Sequence, residues 1–172
     1  MEKLSIRRAV QRDAESMAYL LAKSQWFTYE ALYSKEYITN LIDQYYNVQR
    51  IRQEIVSISR EWHGYFIAEL NRKIVGVIGG GMTGNDSGEV YVLYLDPALR
   101  GKGIGTRLLD SYTKVQKHTY GAREQWVSVA KGNQYGIPFY EARGFTFQYE
   151  DLAYGTVQEN QDISLKYKRE LE

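Results

Sequence analysis

Residues 90–109 read VYVLYLDPALRGKGIGTRLL. Six apolar or aromatic residues predict a buried strand, Asp96-Pro97 predicts a turn, and three alternating glycines at 101–105 lead into an amphipathic helix. Where side chains are missing at a helix start, backbone N–H groups can converge on a phosphate. Arg100 and Lys102 add full positive charges to the partial charge of the helix N-terminus. The stretch therefore predicts a binding site for an anionic, pyrophosphate-bearing ligand.

The glycine spacing excludes two common phosphate-binding motifs. A dinucleotide-binding fold needs Gly-x-Gly-x-x-Gly, and a P-loop needs four residues between its first glycine and Gly-Lys-Ser/Thr. Here the spacing is Gly-x-Gly-x-Gly. The pattern that fits is Arg/Gln-x-x-Gly-x-Gly/Ala, which runs from Arg100 to Gly105.

With this loop the chain resembles the GCN5-related N-acetyltransferase (GNAT) superfamily. A second motif of that superfamily, Asn-x-x-Ala-x-x-Phe-Tyr-x-x-x-Gly-Phe, is matched by NQYGIPFYEARGF at 133–145. Gly136 replaces the usual alanine, and Pro138 fits only in the first turn of a helix. The resemblance is strongest over residues 65–150. It implies a loop that holds the pyrophosphate of acetyl-coenzyme A (acetyl-CoA).

The periodicity of apolar residues predicts the order of the elements. A helical pattern covers 37–62, as one helix or as two that separate at Tyr46-Asn47, and Asp13 is expected to cap an earlier helix. Residues 65–70 and 73–78 predict a hairpin. The order is β-α-α-β-β-β-α-β-α-β-β, which is also the order of the superfamily. We therefore expect an α/β (α+β) GNAT-like fold of one domain, residues 1–172. Its central sheet should be mixed and mostly antiparallel, with six to seven strands flanked by about four helices.

The resemblance also implies how the cofactor is held. The strand at Leu93–Leu95 splays from its neighbour, so that its free backbone groups pair with the pantetheine amides, and an N–H near Leu93 polarises the thioester carbonyl. Asn133 helps to fix the cofactor arm, although a helix cap or turn would also explain it. The expected cofactor-binding residues are Leu93, Tyr94, Leu95, Arg100, Gly101, Lys102, Gly103, Ile104, Gly105, Thr106 and Asn133.

Two residues are expected to carry catalysis on the same resemblance. Tyr140 matches a tyrosine that donates a proton to the departing thiolate, and the alternative is a core aromatic. Glu89 lies six residues before Leu95, at the offset where histone-acetylating relatives place their glutamate base. A carboxylate there can remove the ammonium proton directly or through a water. The alternatives are that Glu89 is a solvated charge, or that Glu150, Asp151 or water alone acts as the base.

The acceptor pocket is expected beside the first helices, where aromatic residues are dense. Aromatic faces attract cations, which suits a polyamine-like amine or a peptide amino group. The same aromatics would also suit a helix–helix junction. The candidate acceptor residues are Trp26, Phe27, Tyr29, Glu30 and Tyr33.

Composition narrows the class of protein. The chain has 172 residues, 22 Lys and Arg against 21 Asp and Glu, 16 Tyr and no Cys. The balanced charge argues against a nucleic-acid partner, and the missing cysteines exclude disulfides and an acyl-cysteine intermediate. We expect no metal, no membrane partner and a cytoplasmic location.

We therefore predict an acetyl-CoA-dependent N-acetyltransferase that forms a ternary complex. The alternatives are a non-catalytic acetyl-CoA-binding sensor or scaffold, and an interaction module whose glycine loop is only a turn. A homodimer through residues 145–149 and 163–167 is left open.

Overall fold

The computed structural model describes residues 3–152 and 163–172. Within these ranges seven strands form one mixed sheet in the order β1-β2-β3-β4-β5-β7-β6. Only β4 and β5 run parallel; every other neighbouring pair is antiparallel. The elements are β1 (Leu4–Arg8), α1 (Ala14–Tyr29), α2 (Lys35–Tyr45), α3 (Val48–Val56), β2 (Tyr65–Leu70), β3 (Lys73–Met82), β4 (Ser87–Leu95), α4 (Ile104–His118), β5 (Glu124–Ala130), α5 (Gly136–Glu141), β6 (Thr146–Leu152) and β7 (Ile163–Glu170).

The predicted fold class and element order are confirmed, with one additional helix. The pattern at 37–62 forms two helices that separate at 46–47, where the Asn47 side chain accepts a hydrogen bond from the Arg50 N–H at 2.8 Å. The second of them ends at Val56, so Trp62 is not helical; its Nε1 donates to the Glu54 carbonyl instead. The prediction of one domain over 1–172 stays a prediction, and 153–162 lie outside the described residues.

Asp13 does not cap the first helix with its side chain, contrary to expectation. Its carboxylate accepts hydrogen bonds from the Val10 N–H at 2.8 Å and from the Arg7 guanidinium at 2.8 and 3.0 Å. It thus ties the turn before α1 to β1. Since Arg7 lies beside it, the pKa of Asp13 is lowered.

Two hydrophobic cores cover the two faces of the sheet. One core packs α4 and α5 on what we call the α4 face, and the other packs α1 and α3 on the α1 face. In β4, Val90, Leu93 and Leu95 belong to the first core, whereas Val92 and Tyr94 belong to the second.

The centre of the sheet is interrupted at Tyr91. Opposite β3, Gly79 faces Val92 but Gly80 faces Val90, so Tyr91 is an extra residue and forms a β-bulge. The bulge explains how Val90 and Leu93 reach the same face although they are three positions apart. The parallel pairing of β4 with β5 ends at this point, with Val90 opposite Val127. Beyond it the two strands diverge, and a gap opens in the sheet.

A second irregularity falls in β6. Phe147 faces Tyr167 and Tyr149 faces Lys166, so Gln148 is an extra residue. Phe147 and Tyr149 are two positions apart, which in a regular strand would place them on one face, yet the bulge separates them. Phe147 packs on Tyr167, at the α4 face, and Tyr149 lies near Trp126 on the α1 face.

Candidate functional site

A groove of about 230 Å³ passes through the gap in the sheet. Its outer end lies at the glycine loop before α4, and its inner end is lined by Val90, Tyr91 and Ser128. The residues that line it within the described ranges include two arginines and no Asp or Glu. An anionic ligand is therefore favoured at the outer end.

The glycine loop is shaped by left-handed backbone. Gly101 and Gly103 have φ angles of +77° and +79°, which residues with a Cβ rarely adopt. Gly103 is the N-cap of α4, and no side chain caps the helix there. The first-turn N–H groups of an α-helix have no partner within the helix, so those of Ile104, Gly105 and Thr106 remain for a ligand.

Arg143 brings a second guanidinium to the same helix end. Its Nε donates to Thr106 Oγ1 at 3.0 Å, and its Nη2 also donates to this hydroxyl. The guanidinium carbon lies 3.7 Å from the centre of the Phe139 ring, and Nη1 donates to the Phe139 carbonyl at 2.7 Å. A Cβ on Gly105 would lie 3.0 Å from that ring, so α5 packs closely on α4. This packing fixes the Arg143 charge beside the glycine loop and the N-terminus of α4, which together we call the phosphate cradle because they could hold an anionic ligand.

Arg100 lies across the mouth of the groove. Its guanidinium carbon is 3.8 Å from the Tyr135 ring centre and 5.3 Å from that of Phe27. The two rings also contact each other, with centres 5.2 Å apart. Arg100 therefore links α1 to the segment before α5 across the groove.

The edge of β4 that faces the gap offers backbone hydrogen bonds. In an antiparallel pair, hydrogen-bonded and non-hydrogen-bonded residues alternate. The Asp96 N–H donates to the Val75 carbonyl at 2.8 Å, so Leu93 and Leu95 take the non-hydrogen-bonded positions. Their N–H and C=O groups point away from β3, into the gap. The Leu95 carbonyl accepts from Ser24 Oγ at 2.9 Å. The Leu93 groups and the Leu95 N–H can pair with an extended ligand, as an added strand would.

Asn133 is buried at the N-terminus of α5. Its Oδ1 accepts hydrogen bonds from the backbone N–H groups of Tyr135 and Gly136, both at 3.0 Å. Its oxygen therefore caps the turn, which is the alternative that the sequence left open. The residue also lines the groove, so its side-chain nitrogen remains available for a ligand contact.

Tyr140 is buried in α5 and lines the groove. Its ring contacts Phe139 and Phe145 edge-on at 5.2 and 5.3 Å. Burial raises the pKa of its hydroxyl well above the usual value. Tyr140 is therefore protonated at neutral pH and suited to donate a hydrogen bond.

Glu89 lies in β4, next to the inner end of the groove but not in its lining. Its side chain is 16% exposed, and its Oε2 lies 3.8 Å from Lys166 Nζ of β7. Burial raises the pKa of Glu89, whereas Lys166 lowers it. The rival bases lie in β6, where both are exposed. Glu150 pairs with Lys131 at 2.9 Å, and Asp151 accepts a hydrogen bond from the Leu152 N–H.

A row of tyrosines covers the α1 face beside the groove. The hydroxyls of Tyr29 and Tyr94 are 2.8 Å apart, and burial raises the pKa of both. The Tyr33 ring stacks on Tyr29 at 5.3 Å, and the Tyr37 ring lies 4.7 Å from Tyr33. Of the aromatic residues expected near an acceptor, Tyr29 and Tyr33 thus pack on each other, and the Tyr29 hydroxyl meets that of Tyr94 at the groove.

The structure brings most of the sequence-predicted residues to one groove. Lys102, Trp26, Glu30 and Tyr33 do not line it. Residues that line it are Leu93, Tyr94, Leu95, Arg100, Gly101, Gly103, Ile104, Gly105, Thr106, Asn133, Tyr140, Phe27 and Tyr29.

Several polar and charged neighbours of the site were not predicted from the sequence. Arg143, Tyr135 and Ser128 line the groove, and Lys166 contacts Glu89. Only Arg143 and Tyr135 carried a signal, since both lie inside the quoted motif at 133–145. Within the described residues, no group of three metal-ligating side chains and no helix able to span a membrane is found.

Comparisons with known proteins identify the family and the fold. A sequence model of the Acetyltransferase (GNAT) family matches residues 19–145. Spermidine N(1)-acetyltransferase of Thermoplasma acidophilum is 30% identical over 149 residues, which are 86% of this chain and 91% of that protein. The structure of the PaiA N-acetyltransferase of Thermoplasma acidophilum in complex with coenzyme A is 27% identical, with a TM-score of 0.80 over 97% of this chain and 99% of that one. Apo YjaB of Escherichia coli, 23% identical with a TM-score of 0.70 over 96% and 97% of the two chains, shares the fold.

The phosphate cradle, the open strand edge and these relatives define the class of protein: an acyltransferase with acetyl-CoA as its donor. More particularly, the chain belongs to the GNAT family of acetyltransferases.

Proposed function

We propose that this protein transfers an acetyl group from acetyl-CoA to a primary amine of a small, polyamine-like molecule. The observation that carries the proposal is the continuous groove from the glycine loop to Ser128 and Tyr29, with Glu89 beside its inner end. The relative named for spermidine supports this acceptor class. A polyamine keeps a positive charge on the amines that do not react, and the aromatic rings at the α1 face suit such a cation.

The residues of the groove fit acetyl-CoA. The α4 N-terminus, Arg100 and Arg143 would hold its diphosphate, and the open edge of β4 would pair with the pantetheine amides. Bound there, acetyl-CoA supplies the acyl group, as a C–N bond forms at the thioester carbonyl carbon and the C–S bond breaks.

The protein's own groups act on protons and charge. Glu89 takes a proton from the acceptor ammonium, directly or through water, because at a pKa of about 10.4 only about one amine in a thousand is free at neutral pH. The Leu93 N–H donates a hydrogen bond to the carbonyl oxygen as charge develops there.

Tyr140 acts on the leaving sulfur. Since its pKa is raised well above that of a thiol, Tyr140 is better suited to stabilise the thiolate by a hydrogen bond than to part with its proton permanently. In all, the ammonium loses two protons and the thiolate gains one, so each turnover releases one proton to solvent.

The test measures thiol release from acetyl-CoA with spermidine, spermine, putrescine, amino acids and short peptides. The absence of cysteine keeps the protein's own background low. We expect turnover with the polyamines, and a strong loss of kcat in Glu89→Gln and Tyr140→Phe with coenzyme A affinity unchanged. Tyr167→Phe, outside the groove lining, is the control for Tyr140. Tight coenzyme A binding without turnover of any amine would reject the enzyme in favour of a sensor, and turnover of peptides alone would reject the acceptor class.

A further inference from the structure

Lys166 of β7 connects the candidate base to the groove. Its ammonium donates a hydrogen bond to Ser128 Oγ at 2.5 Å and lies 3.8 Å from Glu89 Oε2. Ser128 lines the inner end of the groove. Lys166 and Glu89 are both mostly covered, with side chains 20% and 16% exposed. Lys166 therefore contacts both Glu89 and a residue of the inner end of the groove.

The surroundings of Glu89 favour its neutral form. Gly81 faces Glu89 across the β3–β4 ladder, and a Cβ on Gly81 would lie only 1.9 Å from the Glu61 carbonyl oxygen. Cross-strand partners share a face, so the Glu61 backbone covers the sheet next to Glu89. On the other side, Trp126 of β5 lies opposite Glu89. Removing water in this way raises the pKa of a carboxyl group.

Other charges nearby are already matched or exposed. Lys168, two residues along β7, pairs with Glu124 at 3.3 Å and with Glu170 at 3.2 Å. The Glu61 side chain is exposed, and α4 reaches Glu89 only through the neutral amide of Gln116, which donates to the Glu89 carbonyl at 3.0 Å. Among the described residues, the titratable groups next to Glu89 on its own strand, the neighbouring strands and the covering segment are Lys166, Lys168, Glu124, Glu61, Tyr91 and Tyr149.

We propose that Lys166 is the positioning residue of the base: its ammonium, held by Ser128, keeps the Glu89 carboxylate ionised and fixed beside the inner end of the groove. The same charge disfavours an ammonium at that place, so an acceptor that arrives there is driven towards its free amine. This role rests on the proposed function in one respect, namely that Glu89 is the base. The ion pair itself is independent of turnover.

The first experiment titrates Glu89 without any reaction. Protein with 13C-labelled glutamate carboxyls is followed by NMR against pH, and Glu89→Gln identifies the signal. We expect Lys166→Met to move the Glu89 midpoint upward by about 1 to 3 pH units. Lys166→Arg should restore most of the shift, and Lys168→Met, which removes a neighbouring lysine of the same strand, should leave the midpoint unchanged. An unmoved Glu89 midpoint in Lys166→Met overturns the proposal, whatever the activity.

The second experiment compares pH profiles of kcat/KM for spermidine. In Lys166→Met the acidic limb should move upward by the same amount as the NMR midpoint, with activity approaching that of the wild type at high pH. A uniform loss at every pH would mean a structural role and overturn the proposal. If the wild-type protein shows no turnover, the proposed function is rejected but the proposal for Lys166 is still tested, because the NMR midpoint of Glu89 does not depend on turnover.

Discussion

The two ends of the groove are built from different parts of the polypeptide. At the outer end the proposed ligand contacts come from the main chain: left-handed glycines and the first N–H groups of α4 form the cradle proposed for the diphosphate. At the inner end side chains from separate strands meet: Lys166 of β7 contacts Glu89 of β4 and Ser128 of β5. On the α1 face of the groove, Tyr29 of α1 meets Tyr94 of β4. A site built from the main chain needs a contiguous pattern of glycines in the sequence. A site built from side chains uses residues that lie far apart in the sequence. This difference explains why the cofactor could be predicted from the sequence, whereas the acceptor could not.

The largest expected effect tests whether the main chain builds the outer end. Gly103→Val forces a branched side chain into left-handed backbone, at about 1–2 kcal/mol, and places it in the cradle. We expect coenzyme A to bind about 30-fold more weakly or worse by calorimetry. Gly121→Val is the matched control, since Gly121 has a φ of +74° and, like Gly103, no atom within 4 Å of an added Cβ, but lies beyond the other end of α4. Equal losses of affinity in the two variants would contradict a main-chain cradle.

A smaller effect measures how far side chains assist at that end. Arg143→Met keeps an apolar stem on Phe139 but removes the charge next to Thr106. We expect coenzyme A affinity to fall about tenfold, as for the loss of a charge-assisted hydrogen bond. Arg107→Met removes an exposed arginine of α4 that donates to the Leu4 carbonyl, and should leave the affinity unchanged. If Arg143→Met binds as tightly as wild type, the cradle is made by the main chain and Arg100 alone.

A third variant separates the inner end from the outer one. Tyr29→Phe removes a hydroxyl that meets Tyr94 at 2.8 Å. We expect the KM for the amine to rise about threefold, the size of one neutral hydrogen bond, with unchanged coenzyme A affinity. Tyr19→Phe, on the same helix but 74% exposed, serves as control. A parallel loss of coenzyme A affinity would show that the two ends are not separate.

The smallest expected effect is a loss of folding stability at low pH. Its source, His63, is a different group from Glu89, whose titration should affect activity. His63 is fully buried and stacks on Tyr120 at 3.7 Å. Burial lowers its pKa, so below about pH 6.5 the unfolded chain takes up a proton that the folded chain does not. The free energy of unfolding should therefore fall from this residue as the pH drops below 6.5, by at most about 0.4 kcal/mol between pH 6.5 and 6.0. Urea unfolding of His63→Phe should lack this slope; the same slope in variant and wild type would assign it to other groups.

The fold was predictable where local signals act alone. Asn47 marks the break between α2 and α3 because its side chain caps the second helix. The helical periodicity of residues 37–62 and the capping residue within it are both visible in the sequence. The end of α3 at Val56 and the bulges at Tyr91 and Gln148 were not predicted. A bulge is a mismatch in the pairing of two strands, so it cannot be predicted from the sequence of either strand alone.

The site followed the same rule. The glycine loop was found because its spacing matches a phosphate-binding pattern, and two of its glycines, Gly101 and Gly103, take left-handed backbone that other residues rarely adopt. Arg143 lies within a motif that was quoted, yet its contact with Thr106 depends on how α5 packs on α4. Trp26 and Glu30 were expected near the acceptor from their neighbours in sequence, but the helical turn directs them away from the groove lining.

The bulge at Tyr91 has a thermodynamic consequence. It leaves the Leu93 and Leu95 amides at the centre of a sheet without a strand to complete them, so a bound molecule finishes hydrogen bonding that the chain has left open. A ligand that binds only the folded form adds RT ln(1 + [L]/Kd) to stability, about 2.7 kcal/mol at a hundred times Kd. The melting temperature of this protein should therefore report the concentration of coenzyme A around it.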